Sequence, residues 1–333
     1  MEKLELNIPL DTKLPAIQGF GNNYAFIQKQ LGSVEPDIPI SIVLPVYNRI
    51  DMLRRTIAML THQTYPLELI EVIIADDGSD DNPEQLIDEF KQFFEINYVR
   101  QRDEGYRLSH IRNLGVRSAR HDNVIILDCD MAPVPNLVKT YAEWLVLDYN
   151  VILIGHRRYV DANDIAPKNV LNDPACMLDL PPVATKNKVM VKSPSKDWRE
   201  PIYQETNMLL DSPHPFRTSS CGNVAFNRRI FKHAGDFDES FTAWGAEDNE
   251  FGYRVWNAGY YFIPLLDALG LHQEPPGGRE FVDREAGKLV TRPMLLDKVP
   301  TYRTYNPELI STTPSITLFT VTKNNVKNIE DCI

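Results

Sequence analysis

Residues 40–131 predict an α/β protein whose sheet is mostly parallel and flanked by helices, and two observations carry that prediction. β-Branched runs alternate four times with stretches of helical spacing, the pattern of strands joined by crossover helices. The polar punctuation also falls consistently after a strand, as "PVYNR", "ADDGSDD", "RQRDEGY" and "DCDMAP". In parallel sheets ligands bind beyond the carboxyl ends of the strands.

The elements follow in order. Residues 1–38, with Pro9, Pro15 and Pro36, read as an extension packed against the domain. "ISIVLPVY" is a first buried strand, and "DMLRRTIAMLTHQ" a helix for which Asp51 is available as a cap. "LIEVIIADDGS" and "PEQLIDEFKQFF" repeat the pair, then "INYVRQ" with "RLSHIRNLGVRSAR", and "NVIILDCD" is a fourth strand. On a strand Asp128 and Asp130 project to one side and Cys129 to the other, into the core. After Val151 the rhythm breaks. Residues 160–215, rich in Pro, Asn, Asp and Lys, are expected to be long loops of the kind that serve as lids or mobile segments. Regular structure resumes with "SSCGNVAFNRRIFKHAG" and with a helix in "WGAEDNEFGYRVWNAGYYFIP", which Gly259 can terminate.

The tail "TLFTVTKNNVKNIEDCI" lies without gaps on the first strand and helix turn: Asn324 falls on Asn48, Val326 on Ile50, Ile329 on Leu53 and Ile333 on Ile57. Residues 311–333 are therefore expected to begin a second, similar domain, with a plain C-terminal strand as the alternative.

Composition narrows the classes. The chain has 333 residues, 43% hydrophobic and 24% charged, with a formal charge of −11. That suits a soluble globular protein and argues against nucleic-acid binding, which needs a basic face. A small anionic substrate stays open. Cys129, Cys176, Cys221 and Cys332 form no C-x-x-C pair, so neither a zinc site nor a disulfide framework is expected, and the cytosol fits. There is no signal-like N-terminus and no apolar run of membrane-spanning length. The expectation is a cytoplasmic chain without a transmembrane segment, attached at most peripherally to the inner face of a membrane.

Four stretches can carry chemistry. In "ADDGSDD", Asp77 sits at a strand end where it can accept a hydrogen bond from a base or ribose, though Asp, Gly and Ser are ordinary turn residues. The D-x-D of Asp128 and Asp130 suits a divalent cation that bridges phosphate oxygens. As an isolated pair it is as readily a solvated turn. His272 gains meaning only beside Asp130, since imidazole suits Mn²⁺ better than Mg²⁺. "WGAEDNEFGYR" joins an aromatic plate, Trp244, to Glu247, Asp248 and Glu250. Acids favour a helix N-terminus in any case, yet one of these can be a general base for an acceptor hydroxyl.

In combination these stretches resemble family 2 glycosyltransferases of the GT-A fold. "WGAEDNEFGYR" and "HQEPPG" are most similar to the bacterial polymerases that make chondroitin and hyaluronan, and the tail fits their tandem domains. The resemblance covers roughly residues 40–290. It implies a GT-A domain over 39–300, with a nucleotide-binding half at 39–150 and an acceptor-binding half at 151–300. Pro45, Tyr47 and Asp77 would hold the uridine of a UDP-sugar, and Arg112, Asn113, Asp128, Gly222 and Asn223 the rest of the donor. Asp130 and His272 would bind the metal, Mn²⁺ or Mg²⁺. Trp244 would bind the acceptor, and Glu247 and Asp248 would be catalytic, with Asp248 the base. Ala246, where the relatives often have Gly, would trim the sugar pocket. Lys186, Lys188, Lys192, Lys196 and Arg199 would close over the diphosphate or steer an anionic acceptor, unless they form a solvated loop.

The implied activity is inverting, metal-dependent transfer of a hexose or N-acetylhexosamine from UDP to a glycan, with a second glycosyltransferase domain as partner. Alternatives are a retaining transferase on the same fold and a non-catalytic sugar-binding domain. Nucleotidyl transfer would want a glycine-rich loop after the first strand, and "PVYNRID" has no glycine.

Overall fold

A computed structural model describes residues 21–183, 197–273 and 281–302. The repeat expected at 311–333, the segment with Lys186, Lys188, Lys192 and Lys196, and most of the N-terminal extension lie outside the described residues.

Eight strands make one sheet: β1 Ile40–Val46, β2 Ile70–Asp76, β3 Glu95–Arg100, β4 Asn123–Leu127, β5 Met131–Pro133, β6 Val151–Tyr159, β7 Asn223–Asn227 and β8 Tyr261–His272. Their spatial order is β3-β2-β1-β4-β7-β6-β8-β5. The first four are parallel, as expected, and so are β6 and β8. β7 runs antiparallel between β4 and β6, and β5 antiparallel to β8.

The alternation of side chains explains why β1 and β2 are buried along their whole length and mostly apolar, Ser41, Glu71 and Asp76 excepted. Ile42, Leu44, Val72 and Ile74 pack into one core with Leu53 and Ile57 of the helix Ile50–Leu60 and Tyr141 of the helix Leu137–Leu145. Val43, Ile73 and Ala75 face the other core, with Ile111 of the helix Leu108–Ser118 and Phe251 of the helix Glu247–Asn257. Helices thus cover both faces, so no strand needs a polar side.

Four expectations are corrected. Asp51 does not cap its helix: it is an exposed first-turn acid paired with Arg54, and the Ile50 N–H donates instead to Asp81 Oδ2 of the next loop at 2.8 Å. β4 ends at Leu127, so Asp128 and Asp130 lie in a turn, closed by Met131 N–H on Asp128 O at 2.8 Å. They therefore diverge rather than sharing a face, while Cys129 is buried in the core as expected. Val151 opens a nine-residue strand, and residues 160–215 hold short helices at Pro167–Asn172, Ala175–Leu178 and Glu200–Glu205. Arg199 is buried, with its guanidinium on Asp197 and on Gly155 O at 2.8 Å. It is a structural cation, not part of an exposed basic segment. The expected stop at Gly259 is present: φ is +80° there, and the Tyr260 N–H reaches back to Val255 O.

Candidate functional site

The carboxyl ends of β1, β2, β3 and β4 gather the loops expected to do so. Asn48, in the left-handed region at φ +50°, accepts from the Asp80 N–H, and its own N–H donates to Ser79 Oγ at 2.9 Å. Gly78, at φ +90°, leaves no room for a side chain because the Asp103 backbone lies against it. Three strand-end loops are thereby stitched into one rim.

Tyr47 stands on this rim, 45% exposed, and donates from its hydroxyl to Asp103 Oδ2 at 3.0 Å. Pro45 lies below it in β1. Asp77 is buried and accepts from the Gln101 amide and, at 3.3 Å, from the Arg107 N–H. Burial raises its pKa, and those two hydrogen bonds oppose the rise. Its neighbour Asp76 is committed to the fold, with Tyr98 and the Ser79 N–H on its two oxygens.

The second cluster centres on Arg112, which is buried to 2% exposure. One guanidinium nitrogen reaches Asp128 Oδ1 at 3.1 Å, and the other reaches Asp248 Oδ1 at 3.0 Å and Glu247 Oε1 at 3.3 Å. One cation cannot neutralise three carboxylates at hydrogen-bond range. Glu247 is the most buried of the three, and burial first and Asp248 next push its pKa up to about 8. Of the three acids it is the one whose surroundings favour holding a proton near neutral pH. Gly222 makes this arrangement possible: a Cβ there would lie 3.0 Å from Asp128 Cγ and closer still to its oxygen.

The third cluster joins Asp130 to His272. The β5–β8 pairing sets Met131 opposite His272, and the Gln273 N–H donates to Asp130 O at 2.8 Å. His272 Nε2 thereby lies 3.9 Å from Asp130 Oδ2, which also accepts from Arg49 at 3.0 Å. Asp130 Oδ1 is buried with no hydrogen-bond partner among the described residues. Desolvation opposes the charge on Asp130, but His272, Arg49 and more distant arginines together outweigh it and lower its pKa. An unsatisfied carboxylate oxygen beside an imidazole nitrogen fits a divalent cation that completes its shell with water or phosphate. Among the described residues no group of three or more His, Cys, Asp and Glu could hold a metal ion unaided.

Trp244 sits against the helix Phe281–Lys298, where Gly287 leaves room for its backbone and Thr291 donates to its carbonyl at 3.2 Å. Arg284 and Lys288 approach its ring to 5.5 and 5.2 Å.

Two expected residues are engaged elsewhere. Asn113 brackets the Phe237 backbone, accepting its N–H and donating to its carbonyl at 2.9 Å each. Asn223 is buried among Tyr141, His156 O and Ala268 O. Ala246, at φ +75°, caps the Glu247–Asn257 helix from the left-handed region and packs on the apolar core. Sequence reasoning missed Tyr106, a half-buried phenol whose pKa is pushed up by burial and by nearby Glu247. It also missed Gln101, Arg107 and Arg49; their loops were legible as strand ends, but nothing in them marks one polar residue over its neighbours.

The profile described as "Glycosyl transferase family 2" matches residues 41–235, and that of the "N-terminal domain of galactosyltransferase" matches 207–267. The chain is 40% identical to a chondroitin synthase of Escherichia coli, over 100% of this chain and 50% of that one. It is 39% identical to a chondroitin synthase of Pasteurella multocida, over 100% and 36%. A hyaluronan synthase of Pasteurella multocida is 36% identical over 98% and 35%. The chain thus spans half or less of the length of these relatives. Among solved structures, S. aureus TarS superposes with a TM-score of 0.51 at 14% identity, over 81% of this chain and 44% of that one. That likeness concerns the fold, an α/β sheet of the GT-A type.

Proposed function

Because the chain belongs to glycosyl transferase family 2, we propose that residues 39–300 form a domain that transfers a hexose or N-acetylhexosamine from UDP to a growing glycan, with inversion. The observation that carries this reading is the Arg112 cluster: a single buried guanidinium holds an acid on the donor side, Asp128, and an acid on the acceptor side, Asp248.

In this reading the uracil and ribose lie along Tyr47, Pro45 and Asp77, and the sugar beside Asp128 in the space that Gly222 leaves open. Trp244 is an apolar plate for an acceptor ring. Asp248, oriented by Arg112, accepts the proton of the acceptor hydroxyl. The hydroxyl oxygen attacks the anomeric carbon from the face opposite UDP, and the bond to the diphosphate oxygen breaks with its electron pair leaving on UDP. One displacement gives one inversion. Glu247 stays protonated and does not compete for the acceptor proton. Asp130 and His272 would hold Mn²⁺ or Mg²⁺, which when bound neutralises charge on the diphosphate. The names of the relatives support a polysaccharide as product. We extend the same reading to residues 311–333 as the start of a second such domain.

The test is a panel of UDP-sugars with Mn²⁺ and oligosaccharide acceptors, followed by UDP release and by NMR of the new linkage. The expected product is β-linked from an α-linked donor. An α-linked product overturns the mechanism, and release of no UDP from any donor overturns the function.

A further inference from the structure

Asp77 is held by a chain of side chains that leads away from the cleft. Gln101 directly follows β3, and its backbone N–H donates to Asp76 O at 3.0 Å, which fixes it beside the end of β2. Its side-chain amide donates to Asp77 Oδ1, and its carbonyl Oε1 meets Nδ1 of His110, in the first turn of the helix Leu108–Ser118. With the amide nitrogen turned to the carboxylate, Oε1 can only accept, so the hydrogen of this contact belongs to the imidazole. The other ring nitrogen, Nε2, faces Glu239 Oε2 at 4.0 Å, beyond hydrogen-bond range. Glu239 is served instead at Oε1, by the Asn113 amide at 2.9 Å and by Arg117 at 3.8 Å. A neutral ring therefore keeps its one proton on Nδ1, and a doubly protonated ring has one there as well.

This chain decides what Asp77 offers a ligand. Gln101 occupies Oδ1, whereas Oδ2 has the Arg107 N–H at the longer distance of 3.3 Å and can accept again. The Gln101 amide is also the leading contact against the burial that raises the Asp77 pKa, so it favours the ionised, accepting form. Uracil carries a ring N–H at N3 that such an oxygen accepts. Cytosine has a lone pair there, which a carboxylate repels. We propose that His110 is a positioning residue for base selection: its Nδ1–H holds the Gln101 carbonyl, the Gln101 amide thereby stays on Asp77 Oδ1, and Oδ2 is kept turned to the base. Without the imidazole the Gln101 amide is free to rotate, and the carboxylate with it. The inference rests on the UDP-sugar reading above.

The test reads the imidazole first. Nitrogen–proton correlation spectra of the wild-type protein, with His110 assigned through its own backbone, should show a proton on Nδ1; an unprotonated Nδ1 overturns the proposal even if no variant folds. Calorimetry with Mn²⁺ then compares UDP, CDP and inorganic pyrophosphate. The wild type should prefer UDP to CDP. His110→Leu should lower that preference about three- to tenfold, the worth of one hydrogen bond, and leave pyrophosphate binding unchanged. His110→Asn, which sets an amide nitrogen close to where Nδ1 stands, should restore the preference. A preference unchanged in His110→Leu, a loss shared by pyrophosphate, or a loss that His110→Asn does not restore overturns the positioning role. UDP and CDP bound equally, both more tightly than pyrophosphate, overturns base selection and leaves nucleotide binding standing. UDP bound no more tightly than pyrophosphate overturns the nucleotide reading itself.

Discussion

Replacing Glu247 with Gln should make the protein more resistant to alkaline pH. The residue is 4% exposed, and its second carboxyl oxygen is buried without a hydrogen-bond partner among the described residues. The folded state therefore prefers the protonated acid, at a pKa raised from 4.5 to about 8 by burial and by Asp248. A raised folded pKa gives stability that is fully present below pH 4.5 and lost as pH rises through 8. At about 1.4 kcal/mol per unit, the titration of this one group removes on the order of 3 kcal/mol between pH 5 and pH 8. Glutamine copies the shape of the protonated acid and cannot ionise. The variant should match the wild type near pH 5 and melt roughly 6 °C higher at pH 8, at about 2 °C per kcal/mol. Thermal unfolding by circular dichroism at half-unit pH steps reads the difference. Equal pH slopes for the two proteins would refute the assignment of the proton to Glu247.

Other perturbations follow from the same geometry. Gly222→Ala places a methyl against the Asp128 carboxylate; that side chain is 34% exposed and can swing away, so KM for the donor should rise while the melting temperature moves little. An unchanged KM would remove Asp128 from donor binding. Ala246→Gly relieves a left-handed alanine worth about 1–2 kcal/mol, partly offset by about 0.4–1 kcal/mol from a freer unfolded chain. The melting temperature should hold or rise slightly, and donor preference should not change because the methyl packs on the core; a switch in preferred donor would show that it lines the sugar pocket instead.

The parallel half of the sheet was legible because β1, β2 and β4 are buried on both faces and read as mostly apolar, β-branched runs. β6 was not, because "VILIGHRRY" turns polar after Gly155, where His156 and Arg157 serve an ion-pair network around Asp197 that no local pattern announces. The separate roles expected of Asp128 and Asp130 came from the family resemblance, not from the strand geometry read in the sequence. A strand would have aimed both one way, whereas the turn gives one to Arg112 and the other to His272 and Arg49. Asn113 and Asn223 show the limit of reading side chains by type. An amide that pins a backbone and an amide that meets a ligand look the same in sequence, and only the partners across 124 and 82 residues tell them apart.

The central claim is that two adjacent acids on one guanidinium divide their labour, Asp248 as base and Glu247 as a protonated neighbour. Single-turnover transfer to an oligosaccharide acceptor, with Asp248→Asn and Glu247→Gln compared at saturating UDP-sugar, tests it most directly. The expected result is a loss of about 10²–10⁴ in rate for Asp248→Asn and near wild-type rate for Glu247→Gln. Full activity in Asp248→Asn, or an equal loss in both, would contradict it.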